Sequence, residues 1–227
     1  MFQLPLNISL DSSATLDSFY VGENVELLER LMKLTKKNNL IFISGNQGAG
    51  KSHLAQAVCN EISSPNDQSC VYLPLNNSQL TPAILLGLSQ IDLVCLDNIE
   101  SIANNHQWQV GLFNLYNEIK DTGNNLIIFS DRSPVHLGLS LKDLESRLSA
   151  MSIFKLKNIN EENLIHFIIE QGENLGMQVS LDVATFILNR SERSILELKT
   201  IIKTLDEQSL AHQRRITIPF VKDILNI

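Results

Sequence analysis

The sequence predicts an α/β domain built on a parallel sheet, followed by a small domain made only of helices. Three observations predict this. LIFIS, GNQGAGKS and HLAQAVCNEI (residues 40–62) read in turn as buried strand, glycine loop and helix. Strand-like and helix-like segments then alternate at short spacing as far as residue 157, the pattern of a parallel sheet covered on both faces. From Asn158 onward only helix signals remain. The predicted division is 1–16 as peptide and linker, 17–157 as the α/β domain and 158–227 as the helical domain.

Gly45, Gly48, Gly50, Lys51 and Ser52 match the pattern G-x-x-x-x-G-K-[ST]. Between a strand and a helix, that pattern binds phosphates. The glycines let backbone N–H groups wrap the anion, and the helix that follows presents its positive end. Lys51 would reach the outer phosphates, and the Ser52 hydroxyl would ligate Mg²⁺. The plain alternative is a glycine turn joining a strand to a helix, and the intact motif in this setting favours the nucleotide.

Composition narrows the classes. A hydrophobic content of 44% suffices for a full core, and a net charge of −7 argues against a broad basic footprint for duplex DNA. The sequence holds no apolar run of about 18 residues and no basic region followed by a long apolar one at its N-terminus, so a cytoplasmic protein without membrane contact is expected. Cys59, Cys70 and Cys95 sit singly in apolar stretches with no CxxC pair, and buried free thiols are expected of them.

Along the chain, MFQLPLNISL is apolar and uncharged, then DSSATLDS turns polar, as in a tethered tail. Gln3, Leu4, Leu6 and Ile8 form a Q-L-x-L-x-I pattern that resembles the peptides bacterial replication proteins dock into the sliding clamp. One amide orients such a peptide and alternating aliphatic side chains fill an apolar groove. An edge strand folded back onto the domain is the alternative. Residues 19–37 turn at Gly22 into an amphipathic helix with Leu27, Leu28, Leu31, Met32 and Leu34 on its apolar face. CVYLPL reads as a second strand, and SQLTPAILLGLSQ as a short helix interrupted near Pro82. LVCL is a buried strand with Asp97 at its carboxyl end, where phosphate-loop NTPases place an aspartate linked to Mg²⁺. A strand-end cap is the alternative role.

Residues 108–123 form a helix closed by Gly123, with Trp108, Leu112, Leu115 and Ile119 as core. A strand running into SDRSP, a helix over 139–151 and a last strand in IFKLKNI complete the first domain. In the second, Asn160 caps a helix stopped by Gly176, and Ser180 caps one carrying Val183, Phe186, Ile187 and Leu188. Ser194 and Glu197 form a capping box for a third, and Thr217 with Pro219 opens a fourth.

A nucleotide-binding α/β domain with a helical lid is the layout of AAA+ proteins, and the chain resembles the members related to the bacterial replication initiator DnaA. GAGKSHL (48–54), LVCLDNIESIA (93–103), the SDRSP turn, DLESRL (143–148) and ITIPFVKDILNI (216–227) carry the resemblance. Over nearly its entire length, the N-terminal peptide included, it is most similar to the Hda family of initiator inactivators. DnaA would continue past the lid into a helix-turn-helix domain.

The resemblance implies roles. Phe19, Val21, Gly22 and Asn24 would line the adenine pocket. Gly45, Gly48, Ala49, Gly50, Lys51 and Ser52 would hold the phosphates of ADP or ATP, and Ser52 with Asp97 the Mg²⁺. Asp131 would be the sensor after the next strand. Arg147 would be an arginine finger directed into a neighbouring subunit's nucleotide, the alternative being a surface arginine paired with Glu145 or Asp143. His53 either touches the nucleotide or packs beside it.

Two positions depart from the pattern. Asn98 stands where hydrolytic sites have an acid, and an amide accepts no proton from water. Leu196 falls where related lids carry an arginine, with Arg193 nearby. The expected site therefore binds nucleotide, ADP in particular, and turns it over poorly. The implied function is a regulator held to the DNA-loaded clamp, the β subunit of DNA polymerase III, by its N-terminal peptide. It would promote hydrolysis of DnaA-bound ATP, meet DNA mainly through the clamp, and form a homodimer or homo-oligomer. A self-sufficient ATPase of helicase-loader type is the first rival, and a DNA-binding adaptor with an AAA+ body the second.

Overall fold

The computed structural model describes residues 10–12, 14–16, 19–34, 38–63, 68–158, 160–191 and 195–225. The chain divides into two compact units, Met1–Asn158 and Ile159–Ile227.

The first unit runs α1 (Val25–Met32), β1 (Leu40–Gly45), α2 (Lys51–Ser63), β2 (Cys70–Pro74), β3 (Leu93–Asp97), α3 (His106–Thr122), β4 (Asn125–Ser130), α4 (Lys142–Ser149) and β5 (Ser152–Leu156). The strands form one sheet in the order β2-β3-β4-β1-β5, every neighbouring pair parallel. Strands β3 and β4 are buried along their whole length, and β1 at all but its first residue. Unbroken apolar strands of this kind are what a sheet covered on both faces requires.

Alternate strand residues feed opposite layers. Phe42, Val94, Leu96, Leu126 and Ile128 pack with Trp108, Leu112, Leu115 and Ile119 of α3. Ile41, Ile43, Cys95, Ile127 and Phe129 pack with α2 and with Leu27, Leu28 and Leu31 of α1. Because all strands run one way, the carboxyl ends of β1, β3 and β4 open on a common edge. In open α/β sheets that edge is where ligands bind.

Three expectations are corrected. The first helix ends at Met32, and the turn after it brings Leu34 into the core, leaving Met32 59% exposed. The segment after β2 is two 3-10 turns, Pro82–Leu85 and Leu88–Gln90, because Gly87 between them takes φ +80° and breaks any continuous helix. Gly111 of α3 makes room for the first turn, since a Cβ there would stand 3.2 Å from Leu85.

The third concerns the cysteines: their thiols are free as expected, but Cys70 is only half-buried and the three, apart in sequence, converge in space. Their sulfurs all lie within 4.8 Å of one another. Cys70 pairs with Leu93 and Tyr72 with Cys95, so Cys70 and Cys95 occupy one face of adjacent strands, and Cys59 of α2 covers them. All three thiols are free; Cys59 and Cys95 are buried and Cys70 is half-buried. Hydrogen bonds from Cys59 and then Cys95 lower the Cys70 thiol to about 5. The bond to Cys70 raises Cys59, and burial raises Cys95.

The second unit holds α5 (Glu161–Asn174), α6 (Leu181–Leu188), α7 (Ile195–His212) and α8 (Ile218–Leu225). The Asn160 side chain accepts from Asn163 N–H at 2.7 Å, Ser180 Oγ from Val183 N–H at 3.4 Å, and Thr217 Oγ1 from Phe220 N–H at 3.4 Å. Gly176, at φ +77°, follows the end of α5. Val183, Ile187 and Leu188 are buried, whereas Phe186 is half-buried beneath the Arg190 guanidinium, 4.2 Å from its ring centre. Ser194 of the expected capping box lies outside the described residues.

Candidate functional site

Between β1 and α2 the chain turns through Gly48 and Gly50 at φ +79° and +89°, values that L side chains rarely adopt. Gly45 has a different reason to be glycine. A Cβ there would lie 3.0 Å from both the Cβ and the carbonyl oxygen of Leu156, so the close approach of β5 excludes one. Lys51 is 9% exposed, and its Nζ donates to the Gly45 and Asn46 carbonyls at 2.7 and 2.9 Å. The ammonium thus lies over the loop's own backbone, beside the positive end of α2. Loop, lysine and helix end together form a cradle for an anion.

Asp97, at the end of β3, is fully buried. Its Oδ2 accepts from Ser52 Oγ at 2.6 Å and Tyr72 OH at 3.1 Å, and its Oδ1 from Asn98 N–H at 2.9 Å. A hydroxyl and a carboxylate oxygen in contact are hard ligands suited to Mg²⁺. Ser52 and Asp97 are the residues that would hold it beside the phosphates. Burial, then the Asp97 charge, pushes the Tyr72 phenol well above its ordinary value.

At the end of β4, Glu100 Oε2 accepts from Ser130 Oγ and from Asp131 N–H, each at 3.1 Å. The Asp131 carboxylate receives two bonds from Arg132, from Nε at 2.7 Å and Nη2 at 2.8 Å. These bonds hold its pKa below 3.8, and the charges of Arg132 and Lys51 lower it further.

Phe19 is buried, its ring 6.1 Å from that of His53 and 3.1 Å from where a Gly50 Cβ would stand. Val21 is 38% exposed, and Gly22 turns at φ +48°. The Asn24 side chain accepts from Lys157 N–H at 2.8 Å and donates to Lys157 O at 3.2 Å, tying the segment before α1 to the chain after β5. His53 therefore has a packing partner, and the segment before α1 is anchored through Asn24. Asn98 sits in the left-handed region at φ +57°, ψ +47°, which asparagine tolerates.

Arg147 is exposed on α4, and none of the described residues pairs with it. Glu145 is taken by Lys142 at 2.9 Å. Gln3, Leu4, Leu6, Ile8 and Arg193, with the side chain of Leu196, lie outside the described residues.

Tyr72, Glu100 and Arg132 escaped the sequence reading. Arg132 adjoins Asp131 and Glu100 lies three residues past Asp97, but Glu100 meets the end of β4 only through the β3–β4 pairing.

Residues 10–155 match the family model of the bacterial DnaA ATPase domain, and residues 161–225 that of the Hda lid domain. An uncharacterized protein of Haemophilus influenzae is 39% identical over 229 residues, covering 99% of each chain. Among solved structures, the chain is similar to domain III of the Thermotoga maritima replication initiation protein DnaA, with a TM-score of 0.71 and 21% identity over 96% of this chain and 98% of that one. It is also similar to AMPPCP-bound DnaA from Aquifex aeolicus, with a TM-score of 0.71 and 24% identity over 89% of this chain and 68% of the other. These two likenesses are of fold: a DnaA-type AAA+ core and a helical lid.

Proposed function

This chain belongs to the DnaA-related AAA+ proteins, its second unit matching the Hda lid, and we propose that it regulates the initiator DnaA by promoting hydrolysis of DnaA-bound ATP. The observation that carries this reading is Arg147, exposed on α4 while the neighbouring Glu145 is engaged by Lys142. A guanidinium that none of the described residues engages is available to phosphates on another subunit. An arginine supplied in trans accelerates phosphoryl transfer roughly 10³- to 10⁵-fold in the best-studied cases.

In this scheme the chain's own cradle holds ADP or ATP. Lys51 and the loop backbone take the phosphates, Ser52 and Asp97 the Mg²⁺, and Asp131 senses the occupant. Phe19, Val21, Gly22, Asn24, Ala49 and His53 surround the remainder of the nucleotide. The AMPPCP bound by the Aquifex initiator supports a nucleotide at this fold's cradle. Asn98 cannot deprotonate water, so the nucleotide is kept more than consumed. Gln3, Leu4, Leu6 and Ile8 would tether the chain to the sliding clamp on DNA, and copies of the chain would associate.

The test is ATP hydrolysis by the initiator with DNA-loaded clamp, adding the native chain, its Arg147→Ala form or a chain lacking residues 1–8. Stimulation by the native chain, lost in Arg147→Ala and weakened by the deletion, is the expected outcome. Equal stimulation by all three would remove both the arginine and the tether. ATP consumed by this chain alone, without the initiator, would favour a self-sufficient ATPase, with Glu100 as the nearby acid.

A further inference from the structure

The three cysteines form a constellation directly beneath the Ser52–Asp97 pair, and the proposed nucleotide site uses none of them. Ser52 and Cys59 are seven residues apart on α2, two turns along one helix face. Cys70 and Tyr72 on β2, and Cys95 and Asp97 on β3, are each two residues apart and so point to one side of the sheet. The upper layer, Ser52, Tyr72 and Asp97, is joined by hydrogen bonds of 2.6 and 3.1 Å between oxygens. The lower layer is three sulfurs within 4.8 Å of one another.

We propose that Cys59, Cys70 and Cys95 are a binding site for one thiophilic d¹⁰ cation of the zinc(II) or copper(I) class, held by all three sulfurs. Sulfurs bound to a common ion at about 2.3 Å stand about 4 Å apart, so the cluster needs to contract by less than about 1 Å. The donor set decides the class of ion. Thiolates select soft and borderline metals, and among the described residues the cluster offers neither carboxylate nor imidazole to a hard one. Its placement suits a seat with an entrance. Cys59 and Cys95 are buried, whereas Cys70 is half-buried on the edge strand β2, where an ion enters and a water would complete the coordination of zinc. All three sulfurs bind as thiolates, so each thiol still protonated gives its proton to solvent, and no electrons move. The filled site would staple α2 to β2 and β3.

The test uses the full-length reduced chain. Zinc(II) is titrated in competition with a chromophoric chelator, and copper(I) in competition with a bicinchoninate-type chelator, while cadmium(II) serves as a probe for thiolate-to-metal charge transfer. The expected result is one ion per chain, a charge-transfer band, a raised thermal midpoint, and protection of Cys70 from alkylation by iodoacetamide. Thiolates favour copper(I) in raw affinity, so elemental analysis of the chain isolated from cells, not the tighter constant, identifies the ion. Cys70→Ser should weaken binding by at least tenfold while Lys51→Ala leaves it intact, so this site stands or falls apart from the nucleotide reading. Alkylation protection is read on the native chain, which keeps the proposal falsifiable should Cys70→Ser misfold. Failure to retain a stoichiometric ion would overturn the proposal. So would unchanged affinity in a folded Cys70→Ser chain, or metal binding that leaves Cys70 as reactive as before.

Discussion

Asp97 is fully buried and accepts three hydrogen bonds, from a serine, a tyrosine and a backbone N–H. A carboxylate taken out of water needs such donors, because an unpaired buried charge costs several kcal/mol. They also aim it at Ser52, which is what a Mg²⁺ site needs. Asp131 is more open, and Arg132 lowers its pKa through two direct bonds. An unfolded aspartate titrates near 3.8. Since the folded value is lower, the Asp131–Arg132 pair contributes its stability above the unfolded value and loses it as pH falls through the folded one. Carboxyl titration by NMR should place Asp131 below 3.8 in the native chain, with Arg132→Ala moving it back up. A native Asp131 that titrates at or above the ordinary value would show that the pair does not form in solution.

At the scale of elements, helix ends decide where the second unit turns. α5 begins because Asn160 accepts a backbone N–H that the helix cannot satisfy, and Gly176 takes the left-handed turn after the helix has ended. Asn160→Ala should destabilise the unit by about 1 kcal/mol, within a range of roughly 0.5–2. Urea unfolding would read this as a lower midpoint with an unchanged slope. No shift would mean that solvent serves the N–H as well as the side chain does. The segment after β2 illustrates the opposite case. Gly87 at φ +80° divides it into two 3-10 turns, and the missing side chain of Gly111 lets the first of them settle on α3.

At the scale of the whole molecule, the cradle couples to stability. A ligand bound only by the folded state stabilises it by about 2.7 kcal/mol at a hundredfold excess over its Kd. For a unit of this size that raises the thermal midpoint by roughly 5–10 °C. ADP with Mg²⁺ should produce such a shift in the native chain, and Lys51→Ala should abolish most of it. An unshifted native midpoint at saturating nucleotide would count against the cradle. The described residues include no helix long and apolar enough to cross a membrane.

What the sequence determined by itself is what local physics encodes. The glycine loop needs left-handed backbone at Gly48 and Gly50, the strands need unbroken apolar runs to be buried on both faces, and Asn160 and Ser180 announce their helices by capping them. Those signals lie within a few residues of the structure they specify, so GNQGAGKS, LVCLD and the change to helices after residue 157 were legible without coordinates. Only the tertiary structure decided which distant side chains meet. Glu100 reaches Ser130 across thirty positions, and Asn24 reaches Lys157 across 133. The three cysteines, apparently isolated at 59, 70 and 95, converge because two lie on one face of adjacent parallel strands and the third on the helix above them. Strand register and the packing of α2 on the sheet bring them together, and neither is written in the residues next to any cysteine.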